Sequence, residues 1–433
     1  MAVQDLRDFF AVLEKNGKVD KISKEVTISE IPVVMRQKEK EAKTVLFENI
    51  AGYKNKLFNN ILGGRDFLAL AFGCSREDVI KEYMKRAENP IETKMVAEGP
   101  VQEKIFTGDD VDIEQFPFIV HSAKDAGRYI TAGMVIVRDP ETGVRNVSIN
   151  RMQLKGRNKI GVRMMPPQHL GVIYEKAEKM DKPLEVAVAI GNHPLDLIAA
   201  VTSPPFGVDE LTIAGGLRGE PLEMVKCKTI DLEVPARAEL VIEGVLYPRE
   251  REKEGPFGDF MGYYVPVMEN HVMHIKAITM RQDPLLQVIK AGSIEDTHLL
   301  ALSREAQVYR AVAGTNAKIK ALSLCPMIFT CAISIEKQFE EEAKNIIMAA
   351  FGSYSWLKNC IVVDHDVDAF DPVDVWWAVS TRMRPDKGVI VIPNAVGFPR
   401  DPHKLHQSKL GIDATVPMGN WDEYERITVP LKE

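Results

Sequence analysis

Between Glu254 and Asp259 the sequence reads Glu-Gly-Pro-Phe-Gly-Asp, two carboxylates five residues apart on a backbone stiffened by Pro256 and hinged by Gly255 and Gly258. Proline fixes φ and glycine opens conformations closed to other residues, so a shaped loop is expected here rather than a helical turn. Two acids on such a loop, directly before the aromatic run Phe260-Met261-Gly262-Tyr263-Tyr264, suit proton transfer beside an apolar substrate. Close carboxylates repel, so one holds its proton near neutrality while the other stays ionised. A polar surface turn has the same composition, and the hexapeptide alone does not separate the two readings.

Upstream, Asn146-Val-Ser-Ile-Asn-Arg151 precedes Pro166-Pro-Gln-His169 and Asp209-Glu210. An amide oxygen, an imidazole and a carboxylate form a mixed ligand set, suited to Mn2+ or Mg2+ more than to structural zinc. Each also has a plainer reading: Asn146 as a turn cap, His169 as a hydrogen-bonded loop histidine, Glu210 as a solvated acid. The stretch 214–227 is glycine-rich but lacks the phosphate-loop pattern, and no dinucleotide-binding unit surrounds it. Close backbone packing is therefore the expected role of Gly215, Gly216 and Gly219.

These groups need a framework to position them. The chain has 433 residues, 45% hydrophobic and 27% charged, enough for two or three domains with real cores. Its 55 basic and 62 acidic residues leave a net charge of −7, which favours solubility and argues against a nucleic-acid partner. No apolar run approaches the roughly 20 residues of a membrane span, and the first residues lack a signal-peptide core. Cys74, Cys227, Cys325, Cys331 and Cys360 are scattered and odd in number, which reads as reduced cysteines of a cytoplasmic protein.

Residues 1–100 read as a small α/β unit. Leu6, Phe9, Phe10 and Leu13 recur at helical spacing before a stop at Gly17, a strand starts at Thr44, and Ser75 with Asp78 is placed to cap a helix over Arg76–Arg86. Residues 101–300 are β-rich, with runs at Ile130–Val137, Val144–Gln153, Leu184–Ile190, Ala238–Gly244 and His271–Thr279, which favours an antiparallel sheet or barrel. Residues 301–433 return to α/β, with strands at Met327–Ile335, Ile361–Asp364 and Gly388–Pro393 and helices at Phe339–Phe351 and from Asp371-Pro372 to Met383. That alternation predicts a mainly parallel sheet covered by helices.

In chain order, Asn146-x4-Arg151, Gln168-His169, Glu210 with the following Gly-Leu-Arg-Gly-Glu, Glu254-Gly-Pro-Phe-Gly-Asp259, Glu295-Asp-Thr-His298 and Ser408-Lys-Leu-Gly-Ile-Asp-Ala-Thr415 resemble the UbiD family of decarboxylases. These are prenylated-flavin-dependent enzymes related to 3-octaprenyl-4-hydroxybenzoate carboxy-lyase. The specificity lies in the ordered set, which covers most of the chain. The resemblance implies an α/β multidomain fold: an N-terminal α/β domain, a central split β-barrel flavin-binding domain and a C-terminal α/β oligomerisation domain. It further implies prenylated FMN, with Mn2+ (or Mg2+) held by Asn146, His169 and Glu210 and bridging to the cofactor phosphate. A potassium ion would sit beside it at carbonyls of Ala199–Thr202. Asn146, Ser148, Ile149, Asn150 and Arg151, with Gln168, His169 and Glu210, match the family's cofactor contacts, and Lys409 looks like its phosphate-contacting lysine. Arg151, Glu254 and Asp259 match its catalytic network, in which the flavin is the electron sink and the protein moves protons. Asp259 stands where the best-known members acting on unsaturated acids have glutamate, which weakens a cinnamate-like assignment.

The implied activity is reversible non-oxidative decarboxylation of an aromatic, heteroaromatic or α,β-unsaturated carboxylic acid. His298 and Arg304 fall in the region that lines the family's substrate pocket. Arg304 suits a second anionic group, a carboxylate or phosphate, or else is a surface or helix-capping arginine. A flavin prenyltransferase is implied as cofactor supplier, and a homo-oligomer, dimer or hexamer, as the assembly. Two other classes remain: a non-catalytic subunit of a larger carboxylase, which would hold flavin without turnover, and a metal-dependent hydrolase, which would work without flavin.

Overall fold

Leu6, Phe9, Phe10 and Leu13 form the buried face of the helix Leu6–Lys15. Asp5 caps it by accepting from Asp8 N, and Gly17 follows with a left-handed φ of 64°. The computed structural model describes residues 3–164, 166–324, 326–403 and 407–427, so Cys325 lies outside the described residues. The chain divides into two compact units, Met1–Leu300 and Ala301–Glu433. In the first, Val19–Ile22, Thr44–Phe47 and Lys56–Asn59 make a sheet whose fourth strand, Leu285–Gln287, comes from far along the chain. The helix expected over Arg76–Arg86 begins only at Val79. Ser75 Oγ donates to Asp78 Oδ2 at 2.9 Å, so this pair closes a turn ahead of the helix instead of starting it.

The central sheet follows one path of antiparallel pairings: Tyr129–Ile130, Met152–Leu154, Lys159–Val162, Met268–Met280, Leu240–Glu254, Leu184–Ile190, Met134–Arg138 and Arg145–Ile149, with Lys104–Thr107 also pairing Met268–Met280. Arg145–Ile149 ends that path on one side, and Met152–Leu154 lies next to its other end. Only Asn150 and Arg151 separate the two strands in sequence. The three Cα steps from Ile149 to Met152 span roughly 11 Å at most, so the sheet must curl until its ends are close. The result is the split barrel, with a seam crossed by a covalent link in place of ladder hydrogen bonds. Val135, Val137, Val186, Val188, Ile242 and Met273 belong to its buried core.

The β runs read as short segments merge into long strands. Ala238–Gly244 leads into the 15-residue strand Leu240–Glu254, which pairs the 13-residue strand Met268–Met280. Pairing jumps from Leu246–Met273 to Arg251–His271, so Tyr247–Glu250 bulge out, with Arg249 at φ 61°. Three helices pack here, in a region for which only strands were expected: His169–Lys179, Pro194–Ala200 and Glu210–Arg218. Gly215 and Gly216 do serve close packing: a Cβ on them would lie 2.5 Å from Ile91 O and 2.6 Å from Asn89 O. Gly219 does not; it has open space around it and caps the helix at φ 77°.

In the second unit the sheet order is Ile319–Ser323, Thr330–Ile335, Asn359–Asp364, Lys409–Ala414, Val389–Ile392. The three central strands are parallel, but both flanking strands are antiparallel, so the sheet is mixed where a mainly parallel one was expected. Asp371 and Pro372 open the helix Pro372–Arg382 as N-cap and first residue. Among the described residues no helix is long and apolar enough to cross a membrane.

Candidate active site

Glu254 is the last residue of the long strand, and Gly255, at φ 92°, turns the chain so that Phe257–Gly258 pairs back with Tyr264–Val265. Asp125 fastens this hairpin by accepting from Ser122 N and Gly258 N, each at 2.8 Å. Gly258 needs to be glycine for space, because a Cβ there would stand 2.6 Å from Ser122 Oγ.

Arg151, on the seam crossing, grips Glu254 with two donors: Nε to Oε1 at 3.1 Å and Nη2 to Oε2 at 3.0 Å. Asn270 Nδ2 donates to Oε2 at 2.9 Å. Glu254 is only 1% exposed, so this ion pair works in a low dielectric, where fork-shaped charge-assisted bonds are strong. The Phe257 ring lies 4.6 Å from the guanidinium carbon, and the Tyr129 ring lies 4.6 Å from that of Phe257. Burial first, then the Glu254 charge, pushes the Tyr129 hydroxyl to titrate well above its usual range. Asp259 stands at the edge of this group, its Oδ2 3.9 Å from Arg151 Nη1. The two acids differ in their hold on the same cation: Glu254 is gripped by two donors of Arg151, and Asp259 stands beside it at longer range.

Five residues before Arg151, Asn146 lies in the strand Arg145–Ile149. Its neighbour Arg145 pairs with Asp209 at 2.7 Å, and Asp209 caps the helix Glu210–Arg218 by accepting from Leu211 N at 2.9 Å. These contacts hold Glu210 against the strand, where it accepts from Asn146 Nδ2 at 2.8 Å and Val147 N at 2.7 Å. Burial pushes the Glu210 carboxyl up to about 7. His169, the first residue of its helix, brings Nδ1 to 3.9 Å from Glu210 Oε1, with the Phe206 ring set edge-on at 5.2 Å. Burial lowers its pKa, which favours the neutral imidazole. Asn146 Oδ1 is buried and accepts no hydrogen bond. Among the described residues no three His, Cys, Asp or Glu gather as a metal site; this set has two of them plus the orphaned amide oxygen. An acceptor without a donor, a buried acid and a neutral imidazole together fit a hard or borderline divalent cation.

Of the other expected residues, Ser148 Oγ donates to Asn150 Oδ1 at 2.8 Å and Asn150 Nδ2 to Arg163 O at 3.0 Å, which fixes the seam crossing. Ile149 ends the edge strand, and Gln168 is an exposed N-cap position with no side-chain capping bond. Within Ala199–Thr202, Ala199 and Ala200 close the helix Pro194–Ala200, Val201 is its C-cap and Thr202 follows in the turn beyond it. His298 and Arg304 share the helix Ile294–Ala313, but six residues of helix set them about 120° apart around its axis. His298 Nδ1 lies 2.9 Å from Ile294 O. Arg304 and Lys409 belong to the second unit; there Arg304 Nη1 donates to Ser303 Oγ at 3.4 Å, and Lys409 Nζ donates to Leu357 O at 2.6 Å and Ser355 O at 2.9 Å. Asn270, Asp125 and Tyr129 were missed. An asparagine inside a strand is disfavoured, and that was the one signal for Asn270.

A split barrel with a buried arginine–carboxylate pair on its seam, and a buried acid, an imidazole and an orphaned amide oxygen at the neighbouring strand, has the groups an acid–base enzyme needs. The comparisons are more specific. Family models of 3-octaprenyl-4-hydroxybenzoate carboxy-lyase match residues 10–87 (N-terminal domain), 93–294 (Rift-related domain) and 297–414 (C-terminal domain). The chain belongs to this UbiD family and is a carboxy-lyase. It is 35% identical to the anhydromevalonate phosphate decarboxylase of Methanosarcina mazei, over 98% of this chain and 99% of that one. Among solved structures it resembles the UbiD-class enzyme HmfF from Pelotomaculum thermopropionicum in complex with FMN (40% identity, 98% of this chain and 97% of that one, TM-score 0.93). The apo 3,4-dihydroxybenzoic acid decarboxylase of Klebsiella pneumoniae matches at 28% identity over 100% of this chain and 98% of that one, TM-score 0.93.

Proposed function

We propose that the protein carries out reversible, non-oxidative decarboxylation of an aromatic, heteroaromatic or α,β-unsaturated carboxylic acid with prenylated FMN. The observation that carries this reading is the bidentate Arg151–Glu254 pair with Asp259 at its edge, on the seam that continues from Asn146. HmfF structures with FMN and with prenylated FMN support a flavin. When bound, the prenylated flavin supplies the electron sink for the carbon that loses CO2. Asn146, His169 and Glu210 would hold Mn2+ or Mg2+ at its phosphate end, and Ser148, Ile149, Asn150, Arg151 and Gln168 would line its length. The C-terminal carbonyls of the helix Pro194–Ala200 carry the partial negative charge that suits K+. Glu254, paired through both oxygens, keeps Arg151 aimed, while Asp259 gives its proton to the carbon left by CO2.

The relatives' names span a phosphorylated acid and an aromatic one, so His298 and Arg304 are proposed to choose between substrates with and without a second anion. A homo-oligomer is proposed, in line with the evolved dimeric form of HmfF, and a cytoplasmic location with it. The intact acid and ligand sets argue against a non-catalytic subunit.

Protein made in a host lacking flavin prenyltransferase is expected to be inactive, and coexpression of that enzyme to restore activity. The assay is H/D exchange on a panel of 3,4-dihydroxybenzoate, furan carboxylates and enoic acids with and without a second carboxylate or phosphate. Full turnover by FMN-only protein would overturn the reading and return the hydrolase class to consideration. His169→Ala is expected to weaken divalent-metal and cofactor retention about 10–100-fold. Normal Mn2+ and flavin stoichiometry in that variant, read by metal analysis and absorbance, would refute the ligand set.

A further inference from the structure

The helix that begins at Ile294 brings a third acid to the loop. Asp296, in its first turn, accepts from Gly292 N at 2.8 Å, and its own N–H donates to Ser293 Oγ at 3.2 Å. Gly292 packs directly on the residue after Asp259, since a Cβ there would lie 2.8 Å from Phe260 O. Asp296 is thereby held against the Asp259 end of the hairpin, and the Asp259 charge acts on it. Of the other charged groups nearby, Glu295 accepts from Asn60 N at 2.7 Å and Ile61 N at 2.9 Å, Lys290 pairs with Glu39 at 3.6 Å, and Arg151 is clamped on Glu254 while reaching Asp259 at 3.9 Å. Asp296 also keeps some surface in solvent, which Glu254 does not. Burial, with the Asp259 charge adding to it, pushes its carboxyl up to about 6, so it still carries a proton in mildly acidic water.

We infer that Asp296 returns a proton from solvent to Asp259 between turnovers. The inference rests on the reading of Asp259 as proton donor. Each cycle breaks the Asp259 O–H bond as the product C–H bond forms; then the Asp296 O–H bond breaks as that of Asp259 re-forms, and water reprotonates Asp296. No electrons are exchanged with any other group. Asp296 acts only through Asp259.

The test uses the cofactor-loaded enzyme and whichever acid of the panel it turns over fastest. Asp296→Asn is expected to lower kcat about tenfold with KM unchanged, because proton delivery slows while the site keeps its shape. Added imidazolium buffer should restore the rate of this variant in proportion to its concentration and leave the wild type unaffected. The amide still accepts from Gly292 N and removes a like charge beside Asp259, so the variant should fold. Because the folded-state pKa of Asp296 is raised, the wild type loses stability as pH rises through about 6 and the variant does not. The Tm of the variant should therefore gain on the wild type from about pH 4 to about pH 6 and keep that gain, without increasing it, at higher pH. Asp296→Ser, which also lacks the proton, is read the same way. Unchanged kcat, or a loss that imidazolium does not relieve, overturns the relay. If Asp259→Asn turns over normally, the donor reading itself falls; if Asp259→Asn is dead while Asp296→Asn is normal, only the relay falls.

Discussion

Asp259→Asn is expected to lower turnover by roughly 10²–10⁴-fold, the usual worth of a positioned general acid, with a much smaller change in substrate binding. The amide fills the same space beside Arg151 Nη1, 3.9 Å from the present Oδ2, but has no proton to give at neutral pH. Asp259→Glu keeps the acid and moves it by one methylene, and a misplacement of about 1 Å alone can cost around 10²-fold, so partial activity is expected. Deuterium incorporation at the product carbon should follow the same order: wild type, Asp259→Glu, Asp259→Asn. Wild-type exchange in Asp259→Asn would transfer the donor role to Glu254. That outcome conflicts with the geometry, since both Glu254 oxygens are engaged by Arg151 and one also by Asn270.

Arg151→Met should be the most damaging change to stability in this region. It would leave Glu254, 1% exposed, with the amide of Asn270 as a donor but no cation beside it. Breaking a buried pair from one side costs about 3–5 kcal/mol, because the stranded charge must either stay desolvated or take up a proton. Denaturant titration should show that loss together with abolished turnover. Adding Glu254→Gln to Arg151→Met removes the stranded charge, so the double variant should regain much of the stability and none of the activity. A loss below about 1 kcal/mol in the single variant, the range of exposed pairs, would mean that the pair is solvated in solution.

What was legible in the sequence follows from how local each signal is. Leu6, Phe9, Phe10 and Leu13 announce their helix by spacing, and Asp371-Pro372 announces another by cap chemistry, both within one or two turns of chain. The long strands were seen only in part, because the bulge at Tyr247–Glu250 breaks the alternation that marks a half-buried strand. The helix Glu210–Arg218 was not seen at all. Its two adjacent glycines disfavour a helix by propensity, and they are there because the backbone at Asn89 and Ile91 leaves no room for a side chain. Arg151, Glu254 and Asp259 were found through ordered motifs. Asn270 and Asp125 sit on other strands and loops, and only the fold brings them to Glu254 and Gly258.

The open seam has a mechanical side. A closed barrel is a hoop whose girth is fixed by hydrogen bonds all the way round; this one is cut, and the cut is held by a two-residue clasp, Asn150-Arg151. Girth is therefore its softest dimension, and widening costs bending of the flanking strands but breaks no ladder. Asn146 sits on one lip and Arg151 on the clasp, so any ligand that binds both acts as a pin through the gap. Such a pin sets the girth to its own size, and the free energy of its binding appears as stiffness of the whole ring.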